Sequence, residues 1–214
     1  MSNSNNVLTN NTSSDNGYTG YELNLATNYT VSGNTSVNDG DMGFDFTSAD
    51  GCVFINNSSS NCGSHGFYAA SATGNNLTRN VSSNSGSRGF YLSASSNNVL
   101  TQNTADSTAG YAFYIESTCS SDTFIKNVFV PSPYAAYKDS GVWNANTGSP
   151  ATKRFDFSRN WWGTADSVAI RNLFWGPADD SNIYSPWRLA TVDTAAGADT
   201  TAPKAPDTVG FVGL

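Results

Sequence analysis

At 214 residues the chain has room for one long domain, or for one domain and the start of another. Charged residues make up only 13%, and ten Lys plus Arg against 17 Asp plus Glu leave a formal charge of −7, which argues against a nucleic-acid or anionic-membrane partner. No run of 18 apolar residues occurs, so no helical membrane span is encoded.

Residues 1–10 lack the basic and apolar regions of a signal peptide, so the sequence is expected to be a piece of a longer protein. Leu, Ile, Val and Phe supply under a fifth of the chain, a share that alone would indicate disorder. The 13% aromatic content and a phased repeat indicate instead a narrow core built coil by coil.

The repeat is visible from Gly20-Tyr21-Glu22-Leu23 onward. It returns as Gly43-Phe44-Asp45-Phe46, Gly66-Phe67-Tyr68-Ala69, Gly89-Phe90-Tyr91-Leu92 and Ala112-Phe113-Tyr114-Ile115, always 23 residues on. Asn11, Asn34, Asn57, Asn80 and Asn103 keep the same step, each three residues after Leu8, Val31, Phe54, Leu77 or Leu100. Gly17, Gly40, Gly63 and Gly86 form a third track that ends in Ala109.

Each unit reads as three short strands. Residues 20–25 alternate, with Tyr21, Leu23 and Leu25 on one side and Glu22 and Asn24 on the other. A second strand ends at Val31, a corner follows at Asn34, and a Thr/Ser strand leads to the turn at Gly40. The corner should place Asn in the left-handed region, and stacked amides about 4.8 Å apart can donate to one neighbour and accept from the other. Asn11, Asn34, Asn57 and Asn80 also read as glycosylation sequons, which an inward ladder would leave unmodified.

Beyond residue 116 the period loosens. Phe124-Ile125-Lys126-Asn127 continues the corner track, Pro131 and Pro133 widen a turn, and residues 139–152 read as an inserted loop. Phe157-Ser158-Arg159-Asn160 copies Leu77-Thr78-Arg79-Asn80, giving about seven corners and a rod of roughly 30–35 Å at ~4.8 Å per coil. A helix over about 165–175, capped by Thr164 or Asp166 and presenting Ile170, Leu173 and Phe174, should plug the last coil. Ile183 to Trp187 adds a closing strand, and residues 192–208 read as a linker. The expected division is residues 1–190 for the coiled domain with its cap, and 191–214 for the linker and the start of a following module.

The Gly-aromatic strand, the Asn corner and the Ser/Thr/Asn-rich turns resemble the right-handed parallel β-helix repeats of pectate-lyase-like and NosD-like carbohydrate-binding and sugar-hydrolysis proteins, over roughly residues 4–162. Asn160-Trp161-Trp162-Gly163 looks like the ending common in such modules. The resemblance implies an all-β, single-stranded parallel β-helix of 23-residue coils with a short C-terminal capping helix. It implies an extracellular or cell-surface location and a polysaccharide or glycan partner. The Asp199-Thr200-Thr201-Ala202-Pro203 run looks like the lead-in to fibronectin-type domains.

If residues 23 apart are neighbours, Glu22, Asp45, Tyr68, Tyr91 and Tyr114 form one outward row, with Thr19, Met42, His65, Arg88 and Tyr111 beside it. Phenols and aromatic faces suit sugar rings, so Tyr68, Tyr91 and Tyr114 with Glu22 and Asp45 form the candidate carbohydrate face. Glu22 and Asp45 also lie near the ~5–5.5 Å separation of a retaining glycosidase pair. With His65 and Arg88 they are the candidate catalytic groups of a polysaccharide lyase or hydrolase. A non-catalytic module is the leading reading, and a passive spacer with stabilising ladders is a third. Asn38-Asp39-Gly40-Asp41 offers Asp39 and Asp41 as calcium ligands, without an EF-hand glutamate; no other cofactor is indicated. Cys52, Cys62 and Cys119 match no metal spacing, and either a Cys52–Cys62 bridge or separate buried thiols would account for them.

Overall fold

The structure, a computed structural model, describes residues 4–130, 141–145, 157, 159–162 and 166–175. Of the expected loop over 139–152 only residues 141–145 are described, and there Val142–Asn144 is a strand rather than loop; the closing strand at 183–187 and the linker lie wholly outside the described residues.

Strands of two to four residues are too short to stand alone, and here each pairs in parallel with its counterpart one coil away. The first sheet joins Val7–Thr9, Thr30–Ser32, Val53–Ile55, Asn76–Thr78, Val99–Thr101 and Thr123–Ile125. The second runs from Thr12–Ser14 to Val128–Val130 and also has six strands. The third has seven, ending in Val142–Asn144 and Phe174–Trp175. The chain is therefore a parallel β-helix, with a six- or seven-fold strand count among the described residues against the seven or so corners expected.

The core is a set of stacks along the rod. Tyr21, Phe44, Phe67, Phe90 and Phe113 lie ring over ring, with successive centroids 4.7, 4.8, 4.9 and 4.9 Å apart. That separation equals the strand spacing, so register alone puts the rings in contact, each burying about 1.5–3 kcal/mol of apolar surface. Opposite them runs an interior column of Ser36, Ser59 and Ser82, followed by Ala105 and Phe129. The serine column explains the glycines before Phe44 and Phe67: a Cβ on Gly43 would lie 2.1 Å from Ser59 Oγ, and one on Gly66 2.0 Å from Ser82 Oγ.

The asparagine track is a buried ladder. Asn57 Nδ2 donates to Asn80 Oδ1 and to the Val31 carbonyl, both at 2.9 Å, and Asn80 repeats the pattern toward Asn103 and Phe54. The ladder continues to Asn127, whose N–H donates to Asn160 Oδ1. Asn34, Asn57 and Asn80 are buried, so these sequons are closed to modification, while Asn11 at the first coil is exposed.

Three details depart from expectation. The left-handed residue is the one before each ladder Asn: Asn10, Gly33, Asn56, Arg79, Gln102 and Lys126 all have φ between 56° and 65°. The preceding residue makes the bend so that the Asn N–H can point along the axis at the next amide. Leu25 faces solvent at φ 58°, because the inward strand ends at Glu22 and the chain has already turned. The helix spans Ser167–Arg171 and is capped by Asp166, whose carboxylate accepts from the Val168 and Ala169 N–H groups. Phe174 then enters a strand beside Val142 instead of a last helical turn.

The three cysteines are free, buried thiols, so Cys52 and Cys62 are not bridged. Cys52 stands in a second amide ladder, where its N–H donates to Asn75 Oδ1, Asn75 to Asn98 and Asn98 to Asp122.

Candidate functional site

The third sheet turns one row of side chains inward and the alternate row outward. Its register aligns Glu22 with Asp45, Asp45 with Tyr68, then Tyr91, Tyr114 and Trp143 on successive coils. The expected row is present and Trp143 lengthens it. Tyr68 and Tyr91 centroids are 4.9 Å apart, Tyr91 and Tyr114 5.1 Å, and Tyr114 and Trp143 6.1 Å with rings nearly parallel. Tyr111 packs against both Tyr114 and Trp143.

His65 and Arg88 sit just before their strands, where their carbonyls accept from Gly43 and Gly66 N–H groups. The His65 ring is buried and meets Tyr91 edge-on at 5.0 Å. Burial, and then the neighbouring Arg88 charge, push its pKa down to about 4. Arg88 lies over two rings, its Cζ 4.5 Å from the Tyr91 centroid and 4.0 Å from that of Tyr114. One terminal nitrogen is 3.5 Å from His65 Nε2.

Glu116, which the sequence reading did not single out, completes the cluster. It accepts hydrogen bonds from the Tyr91 phenol and from Ser93 Oγ. Burial first, then the Glu116 bond and charge, hold the Tyr91 phenol above its ordinary pKa. Tyr68 is raised by burial, then by the charges of Asp45 and Glu116. Glu116 was hidden because its column reads Asn24, Thr47, Ala70, Ser93, Glu116, five residue types in five coils. The one available signal was that it lies two residues after Tyr114, on the same side of a strand.

The remaining candidates have local partners. Glu22 Oε1 accepts from Asn24 Nδ2 at 2.6 Å, and Asp45 Oδ1 accepts from the Thr47 N–H and hydroxyl at 3.0 and 2.7 Å. Asp39 points into the rod, where its carboxylate accepts from Asn16 N–H, Asn16 Nδ2, Ser13 and Ser36. Asp41 does not share that environment, and no three His, Cys, Asp or Glu side chains gather into a metal-holding group among the described residues.

The geometry defines a solenoid of the parallel β-helix class with an aromatic and carboxylate face. The family model described as periplasmic copper-binding protein (NosD) matches residues 1–164, and the chain belongs to the NosD family. No curated protein sequence matches it. Among solved structures the chain is similar to the crystal structure of the periplasmic alginate epimerase AlgG, at 15% identity and a TM-score of 0.47, covering 89% of this chain and 51% of that one. A mutant of AlgG aligns at 14% identity and a TM-score of 0.45, over 88% and 50% of the two chains. The chain thus spans about half the length of these structures.

Copper would need imidazole, thiolate or thioether groups converging on one point. The described residues do not fit it. Cys52, Cys62 and Cys119 are buried in the coil interior, and the one imidazole has the Arg88 guanidinium at its Nε2, where a metal cation would be repelled, which leaves the Met42 thioether one coil away as a single soft donor.

Proposed function

We propose that this NosD-family β-helix is an extracytoplasmic module that holds an extended polysaccharide against the outer face of its third sheet, without cleaving it. The observation that carries this is the in-register row Tyr68, Tyr91, Tyr114, Trp143. Four aromatic side chains at coil spacing make a strip roughly 15 Å long whose outward edges and phenol hydroxyls can meet successive sugar rings. Glu22, Asp45 and Glu116 supply hydroxyl acceptors beside the strip. The periplasmic description of the family supports the location.

Binding measured by glycan array and then calorimetry tests the reading. Tyr114→Ala, which removes one of the two inner rings, should weaken a bound glycan by about tenfold or more. Unchanged affinity would remove the face. A cleaving enzyme is the second reading, favoured by the register that sets Glu22 beside Asp45. It requires release of reducing ends or unsaturated sugars that Asp45→Asn abolishes.

A further inference from the structure

We propose that the polysaccharide on this face carries no negative charge, being an uncharged or amino-bearing chain, and that polyuronate and sulfated chains are turned away. The inference rests on the glycan-contact reading above and names its substrate class.

Acidic groups bracket the aromatic row. Asp45 is the register neighbour of Tyr68, and Glu22 lies one coil beyond it. Toward the other end, Glu116 lies against Tyr91 and Ser93. The donors that hold Glu22 and Asp45, Asn24 and Thr47, are neutral, so the two negative charges are not cancelled locally. Their influence reaches the strip, since Asp45 and Glu116 both help to keep the proton on the Tyr68 phenol, against a smaller opposing effect of the Arg88 charge.

The one cation among the described residues of this face is Arg88, and it is already committed. Its guanidinium covers the rings of Tyr91 and Tyr114 and abuts His65. The two π-faces hold it in place, where it fixes the ring positions and its single charge offsets only part of the three carboxylates. His65 adds no second positive charge near neutral pH, being buried and held uncharged down to about pH 4. A polyuronate would lay one carboxylate per sugar along three fixed carboxylates and a single occupied guanidinium. The chain as a whole, at −7, repels such a polymer during approach as well.

The experiment uses the full chain and three oligosaccharides of equal length: a neutral β-linked glucan, a glucosamine oligomer and a uronate oligomer. Calorimetry at low and high salt should show the uronate binding about tenfold or more weakly than the other two. The gap should narrow at high salt and in Glu22→Gln/Asp45→Asn, two solvent-facing substitutions whose fold is checked by circular dichroism. Uronate binding as tight as that of the neutral oligomer, or a gap untouched by the double substitution, overturns the charge inference and leaves the aromatic face standing. Failure of all three oligomers to bind, or neutral-glucan binding unchanged in Tyr114→Ala, overturns the face and the inference with it.

Discussion

Tyr91 donates a hydrogen bond to Glu116, 25 residues away in sequence and one coil further along the rod. The bond ties two adjacent coils together on the outside, beside the Ser93 bond to the same carboxylate and the Arg88 guanidinium that lies over both Tyr91 and Tyr114. Tyr91→Phe should destabilise the fold by about 1 kcal/mol, the worth of a half-exposed bond to a charged acceptor, as read by urea unfolding. The folded state holds the phenol proton more tightly than the unfolded chain does. Its contribution is therefore complete below about pH 10 and fades as pH rises beyond it, so the wild-type and Tyr91→Phe curves should converge in alkali.

The ladder predicts a sharper effect in the interior. Asn80 accepts from the Asn57 N–H and Nδ2, and donates to Asn103 Oδ1 and the Phe54 carbonyl. Asn80→Ala removes four buried hydrogen bonds and leaves the Asn57 N–H without its acceptor, while Asn103 Oδ1 keeps the residue-80 N–H and Asn57 Nδ2 keeps the Val31 carbonyl, at a cost of about 2–4 kcal/mol. Asn80→Asp keeps the shape but sets a carboxylate against two carbonyl oxygens. Its loss should be larger at pH 7 than at pH 4, measured by thermal unfolding at both.

The second ladder ends in an acid. Asp122 is buried, its Oδ1 accepts from Asn98, and its Oδ2 has no hydrogen-bond partner among the described residues. Burial raises its pKa from 3.8 to about 6, against the lowering effect of the Asn98 bonds. Stability from this group is complete below about pH 4 and is lost as pH rises through about 6. Asp122→Asn should therefore stabilise the protein by about 1–3 kcal/mol at pH 7.5 and by little at pH 4, as followed by thermal denaturation at each pH.

Glycines of one track differ in what they tolerate. A Cβ on Gly63 would lie 2.3 Å from the Gly40 carbonyl oxygen, whereas one on Gly17 meets nothing within 4 Å. Gly63→Ala should cost about 2–3 kcal/mol and Gly17→Ala close to nothing in chemical denaturation.

What could be read from the sequence was whatever repeats as an identical residue. The phenylalanine stack, the Asn ladder and the Tyr68–Tyr91–Tyr114 row were legible because register converts a fixed step into contact. The second ladder was not, since at the positions of Tyr29, Cys52, Asn75, Asn98 and Asp122 only Asn75 and Asn98 are alike, and its last step is 24 residues. Glu116 was missed for the same reason. Trp143 follows Tyr114 by 29 residues, beyond a stretch where the period has broken, so only the strand pairing reveals it. The left-handed corner was placed one residue late because an Asn can serve either as the bend or as the amide, and the choice here falls to its neighbour.

Each coil meets the next through the same three strand positions and the same amide, so the molecule is a template for its own lengthening. A duplicated unit such as residues 58–80 would find a ladder partner above and below and a phenylalanine on either side. The length of the outward face is thereby set by copy number, a quantity that gene duplication changes in whole steps while every existing interface is kept.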